Sequence, residues 1–426
     1  MQKDIPELLK AGIISPETAE GIRQFYRDKA GQSQNRLFIV FGILGAILVG
    51  LGIILIIAHN WDEFSRTVKT IFSFLPLLVG QFFCAFALLR KNNSNAWRES
   101  SSAFLFFAVG ASISLISQVY HIPGNISAFI LTWMLLCLPL VYLMRSSVTS
   151  LLYLIGITFW AADTGYWTYP SAHTYYYWLM LLAVLPHYYL LKKSQPASNF
   201  MIFHNWFIPL SITIALGTVA RNYEEFMFIA YISLFGLFCL IGKTTFLQSQ
   251  KSSNNGYLPI GSLGTISILL ALSFTWFWED LRRMDISFLN AIRSPEFLTA
   301  LIISSLAGAV FIRQRKNKFV SELNPMELVF IIFIIIFIIG LYFPIAVILV
   351  NLLVFSIGIF TIRLGARKDH LGILNYGLLI ITALVVCRFF DTDLSFVIRG
   401  ILFVGVGLGF FVANSRMLKK RQEHVK

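Results

Sequence analysis

Charge is what this chain has least of. Only 13% of its 426 residues are Asp, Glu, Lys or Arg, about half the share of a soluble domain. The shortage excludes an ordinary water-soluble fold. Lipid accounts for it, because a charge at mid-bilayer costs several kcal/mol. Cysteine is scarce as well. Cys84, Cys137, Cys239 and Cys387 all lie in apolar stretches and lack metal-ligand spacing, so a disulfide framework is not expected. They read as small core residues. No phosphate-binding loop, nucleophile elbow or Cys-x-x-Cys occurs, which argues against ATP-driven transport within this chain. The longest connection between apolar stretches is about 18 residues, too short for a soluble catalytic domain. A cleaved signal is not expected either. The first 36 residues are polar, and the apolar run from Leu37 is too long for a signal core, so it reads as an uncleaved anchor.

What the chain has is apolar length. A membrane span needs about 20 apolar residues, and such stretches are predicted at 37–58, 70–89, 102–119, 126–144, 147–163, 174–191, 203–220, 225–242, 257–278, 297–312, 326–342, 344–362, 371–389 and 394–413. The run 328–362 is too long for one crossing, and Pro344 lacks the donor that continues a helix, so a tight hairpin is expected at Phe343-Pro344. The predicted fold class is all-α, a polytopic transmembrane helix bundle of about 14 spans. Three parts are expected: a cytoplasmic helical hairpin over 1–36, a first transmembrane half over 37–220, and a second half over 221–426 ending in a short basic tail.

The basic residues orient this bundle. With an even number of spans, both termini and the even-numbered loops share one side. The other side holds only seven of the 34 Lys and Arg: Arg66, Lys69, Arg221, Arg282, Arg283, Arg293 and Arg388. The positive-inside rule therefore predicts that both termini are cytoplasmic. The net charge of +13 belongs to topology and to anionic inner-leaflet lipid. The charges are split among short loops and form no groove, so nucleic acid is not an expected partner. The expected partners are the lipid bilayer and other membrane proteins. Trp160, Tyr166, Trp167, Tyr169 and Tyr175 to Trp178 bracket one outer loop, as an interfacial aromatic belt would.

Within 4–30, Ser15-Pro16-Glu17 is a helix start: Ser caps, Pro suits the first helical position and Glu complements the dipole. Ala19, Ile22, Phe25 and Tyr26 then share one face. Gly42, Ala46 and Gly50 in the first span, and Gly405, Gly409 and Ala413 in the last, recur every four residues, which predicts close helix packing. Pro76, Pro139, Pro186 and Pro209 are compatible with the half-helix breaks of transporters, although Pro is also ordinary in membrane helices.

The residues able to carry chemistry gather at the predicted outer ends of spans. IAHNWDEFSR (57–66) offers His59, Asn60, Trp61 and Asp62. SQVYHIPG (117–124) offers Gln118, Tyr120 and His121. Asp163 ends the fifth span, and Arg388, Asp391 and Asp393 lie between the last two. Arg399 lies roughly 7 Å into the last span at 1.5 Å per residue, where it either snorkels or pairs with a carboxylate. Two readings stay open for the His and Asp residues. They cap helix ends at the interface, or they form a ligand, proton or metal site. Their spacing matches no zincin helix, and no metal or cofactor is expected. Asn351 and Asn375 read as interhelical hydrogen bonds.

IAHNWDEFSR, SQVYHIPG and LLKAGIISPETAEGI (8–22) resemble the bacterial membrane proteins of domain-of-unknown-function family 2157, through about residue 150. The later spans, with RFFDTD and the Gly-rich last helix, look like companion family 4401, also of unknown function. The resemblance implies a bacterial cytoplasmic-membrane protein and implies no activity. From the residues, transport or flipping of an envelope-related amphiphile or small solute is the leading expectation. The rivals are a non-catalytic scaffold or sensor, and a membrane-embedded enzyme with an outward His/Asp site.

Overall fold

The computed structural model describes residues 5, 9, 11–24, 40–45, 47–49, 51–52, 55, 63–167, 173–244, 247, 254–283, 288–315, 325–389, 395–397, 400–401, 404–405, 407–409, 411 and 415. Its regular elements there are all helical. Two compact units divide the chain, one comprising Met1–Asp163 with Tyr176–Met201, the other Thr164–Tyr175 with Ile202–Lys426.

The first unit holds α1 (Arg66–Arg90), α2 (Asn95–Val119), α3 (Ile126–Leu143), α4 (Ser147–Ala162) and α5 (Tyr176–Ser194). The way α1 packs is the reverse of a soluble helix. It buries Ser73, Pro76, Gly80, Cys84 and Ala87, while Ile71, Leu78 and Phe82 are each at least 60% exposed. Small residues let backbones approach, and large apolar ones lie where lipid would be. Gly80 shows the first effect: a Cβ there would lie 3.1 Å from the Leu105 backbone of α2.

Upstream of α1, Ser15 caps residues 16–24, with its Oγ accepting from Thr18 N at 3.2 Å. Gly12, at φ +68, takes the left-handed turn before that helix. Ile5 and Ala19 are buried; Phe25 and Tyr26 lie outside the described residues. In the first apolar stretch a Cβ on Gly42 would meet Ser100 Oγ at 2.8 Å, so the expected close approach occurs there. It does not occur at the other end of the chain. A Cβ on Gly405 or Gly409 would meet nothing within 4 Å, because no described helix lies against that face.

The second unit holds α6 (Asn199–Leu216) from Ile202 onward, α7 (Phe226–Gly242), α8 (Tyr257–Ala271), α9 (Thr275–Arg283), α10 (Phe288–Arg293), α11 (Pro295–Arg315), α12 (Val329–Tyr342), α13 (Ala346–Arg367) and α14 (Leu371–Phe389). Trp278, Phe333, Phe337, Val350 and Val354 anchor its core. α13 and α14 meet backbone to backbone. A Cβ on Gly365 would overlap the backbone N of Leu374, and one on Gly377 would lie 2.7 Å from Ile362 N.

Among the described residues, eight helices are long and apolar enough to cross a membrane: α1 to α3, α4 continued to Trp167, α6 continued to Val219, α11, α13 and α14. A ninth is added if α8 and α9 form one broken span. α7 and α12 are apolar but shorter, at 17 and 14 residues. The chain breaks as expected at Phe343, whose φ −130 and ψ 138 leave the helix before Pro344. Of the two readings of the prolines, the ordinary one holds. Pro76, Pro139, Pro186 and Pro209 all lie inside continuous helices, since neighbouring groups in a bundle re-satisfy the backbone that proline frees. The break falls instead within 257–278, where α8 and α9 meet at 73° and no proline stands at the break.

Candidate functional site: a groove with polar residues and a broken helix

The turn between α3 and α4 is held by two adjacent side chains of α2. Arg98 donates to Met144 O through Nε at 2.9 Å and Nη2 at 2.6 Å, and to Arg145 O at 3.0 Å. It thus supplies donors to the orphan carbonyls where α3 ends. Glu99, buried, accepts from Ser146 Oγ at 2.5 Å and from the Ser147 and Val148 N–H groups at 3.0 Å each. A carboxylate at the start of α4 suits both its free N–H groups and its dipole. Charge count alone treats Arg98 and Glu99 as loop residues. The signal that was available is their adjacency at the foot of an apolar helix.

Beyond that clamp, α1, α2 and α3 enclose a groove of about 810 Å³. Its lining includes Gln81 of α1, Ser112 and Gln118 of α2, Asn125 at the cap of α3, and Thr132. Ser112 Oγ donates to Ser73 O at 2.7 Å, Asn125 Oδ1 accepts from Ala128 N at 2.8 Å, and Thr132 Oγ1 donates to Ala128 O. Gln81 is exposed and has no hydrogen-bond partner among the described residues. From Arg66 to Gln81 is roughly 22 Å at 1.5 Å per residue, against a hydrocarbon thickness of about 30 Å. Polar groups therefore line a path that starts at the Pro123–Gly124 turn and runs deep along α1.

The described candidate residues at the end of α2 sit near the mouth of that groove. Tyr120 OH is 3.2 Å from Thr70 Oγ1, and the Arg66 guanidinium lies 4.7 Å from the Tyr120 ring centre. The last residue of IAHNWDEFSR thus meets SQVYHIPG. His121 is exposed and takes φ 49, a left-handed conformation at the end of α2. Gln118 is exposed and lines the groove. Asp163 accepts a short hydrogen bond from Ser127 Oγ at the start of α3. His59, Asn60, Trp61, Asp62, Asp391, Asp393 and Arg399 lie outside the described residues. Among the described residues no three His, Cys, Asp or Glu converge as a metal site would require.

Arg388 belongs to the second unit and points to its broken helix. Its Nη2 donates to Ser273 Oγ at 3.1 Å, and its guanidinium lies 4.6 Å from the Phe274 ring centre. Ser273 is fully buried between α8 and α9. Its Oγ turns back to Leu270 O at 2.6 Å, competing with the helical ladder as serine does. The carbonyls freed by the break find side-chain donors. Trp278 Nε1 donates to Leu272 O at 2.7 Å, and Asn351 Nδ2 to Ser273 O at 3.0 Å. Asn351 is therefore the interhelical hydrogen bond expected of it, with the break as its partner. Glu296 makes a second buried anchor, its Oε1 accepting from the N–H groups of Arg221, Asn222 and Tyr223 at 2.5, 2.8 and 3.2 Å. Ser294-Pro295-Glu296 looks in the sequence like a plain helix start. Ser294 does cap α11, but Glu296 reaches across to another loop.

Several apolar helices of spanning length, among them α1 with its large apolar side chains turned outward, define a multi-helix membrane protein. Residues 6–150 match the family described as "Predicted membrane protein (DUF2157)", so the N-terminal third of the chain is similar to that family, whose function is unknown. No curated protein and no solved structure matches the chain.

Proposed function

We propose that the protein moves an envelope-related amphiphile, or a small solute, across a bacterial cytoplasmic membrane, using the groove between α1, α2 and α3. The observation that carries this reading is Gln81. An exposed amide far along a spanning helix has no partner among the described residues, and moving such a group into pure hydrocarbon costs about 4–8 kcal/mol. A polar headgroup travelling along the groove would meet Gln81 and Thr132, while its tail stays in lipid. Gln118, Tyr120 and His121 stand at the entrance. The charge pattern supports a bundle of about 14 spans with both termini in the cytoplasm, a topology in which this entrance would face outward. The fuller outer cluster, with His59, Asn60, Trp61, Asp62, Asp163, Asp391, Asp393 and Arg399, belongs to the same proposal, as does the likeness of the later spans to family 4401.

The test is transbilayer movement of a headgroup-labelled phospholipid in proteoliposomes, read by quenching from outside. The wild-type protein accelerates movement over protein-free vesicles. Gln81→Leu, which removes roughly 1.4 kcal/mol of hydrogen bonding, slows it about tenfold. Equal rates with and without protein would favour the scaffold reading. A rate unchanged by Gln81→Leu would remove the groove from the mechanism.

A further inference from the structure

The second unit contains an apolar cavity of about 590 Å³, within the roughly 300–1,000 Å³ range of small-ligand sites. Phe297, Ala300 and Phe337 form part of its wall, and Arg282 of α9 is the one charged side chain among its described lining residues. Arg282 Nη1 is buried and has no hydrogen-bond partner among the described residues. Its neighbour Arg283 is placed differently, with Glu279 at 3.6 Å and Asp280 at 4.0 Å. A buried guanidinium N–H without an acceptor is costly. The described residues supply none here, so the acceptor comes from outside them. The cavity also opens onto an exposed apolar surface: Leu301, Ile338 and Tyr342 line it and are 53%, 53% and 73% exposed, on helices whose outward faces are apolar.

We infer that this cavity holds an anionic phospholipid, with one acyl chain against Phe297, Ala300 and Phe337 and a phosphate oxygen accepting from Arg282. Guanidinium is the side chain best shaped for that contact, since its planar fork matches phosphate. No acidic side chain lines the cavity among the described residues, so nothing there receives the ammonium of a zwitterionic headgroup. The site lies within the second unit and does not depend on the groove of the first.

The test is lipid retention by the purified full-length protein, counted by native mass spectrometry after incubation with phosphatidylglycerol or phosphatidylcholine. The wild type retains one phosphatidylglycerol, at least tenfold more than phosphatidylcholine. Arg282→Gln abolishes that preference and Arg282→Lys keeps part of it. Ala300→Trp, which fills the cavity, lowers retention of the chain itself. If Arg282→Gln fails to fold, Arg282→Lys and Ala300→Trp carry the test. Equal retention of the two lipids by the wild type, or unchanged preference in the Arg282 variant that folds, overturns the inference. Displacement of the lipid by millimolar inorganic phosphate would also overturn it, by identifying a soluble anion as the occupant.

Discussion

Removing the Glu99 carboxylate should be among the most damaging single changes in the first unit. Glu99→Ala deletes the acceptor for the Ser147 and Val148 N–H groups, both bonded at 3.0 Å, and for Ser146 Oγ. Ser147, Val148 and Glu99 are all buried, so water does not readily replace the lost acceptor. Two orphaned backbone donors at about 1–3 kcal/mol each give a loss of about 2–6 kcal/mol. That is a large part of the roughly 5–15 kcal/mol that holds a folded protein together. Ser146→Ala is the calibrating variant. It removes one donor to Glu99 and the cap on Thr149 N, and it leaves the carboxylate in place, so about 1–2 kcal/mol is expected. The assay is unfolding of the purified protein in mixed micelles at increasing dodecyl sulfate, followed by tryptophan fluorescence. Glu99→Ala should lower the midpoint more than Ser146→Ala. If Glu99→Ala costs under about 1 kcal/mol, or less than Ser146→Ala, the carboxylate is not what holds the start of α4.

The glycines separate packed from open positions. Gly365→Ala should destabilise the protein by about 1–3 kcal/mol through overpacking against the Leu374 backbone, whereas Gly405→Ala should be neutral; the same unfolding assay reads both. Asn351→Leu leaves Ser273 O without its interhelical donor and should cost about 1–3 kcal/mol, with faster protease cleavage near residues 272–274 as the local readout.

The helices were legible because their signal is apolar length. The predicted stretch 371–389 coincides with α14, and 126–144 differs from α3 by one residue. Caps of local kind were legible too, as at Ser15. The broken helix was not. Leu272-Ser273-Phe274 contains no residue that forbids a helix. The groups that satisfy the break are largely distant in sequence: donors arrive from Asn351 and Arg388. The same limit hid Glu99 and Glu296, which look like ordinary charges at helix feet. Their partners lie in loops 47 or more residues away, beyond any local pattern. The outer cluster was legible only as a list of residue types, and Tyr120 with Arg66 shows how two of its stretches meet.

The backbone contact between α13 and α14 has a mechanical consequence. Asn351 stands on α13 and Arg388 on α14, and both hold Ser273. At Gly365 and Gly377 the Leu374 and Ile362 backbones leave no room for a Cβ, so each helix resists sliding past the other. The two grips on the break therefore stand on neighbouring helices that pack closely together. A shift of that helix pair away from α8 and α9 would loosen both hydrogen bonds at Ser273 together.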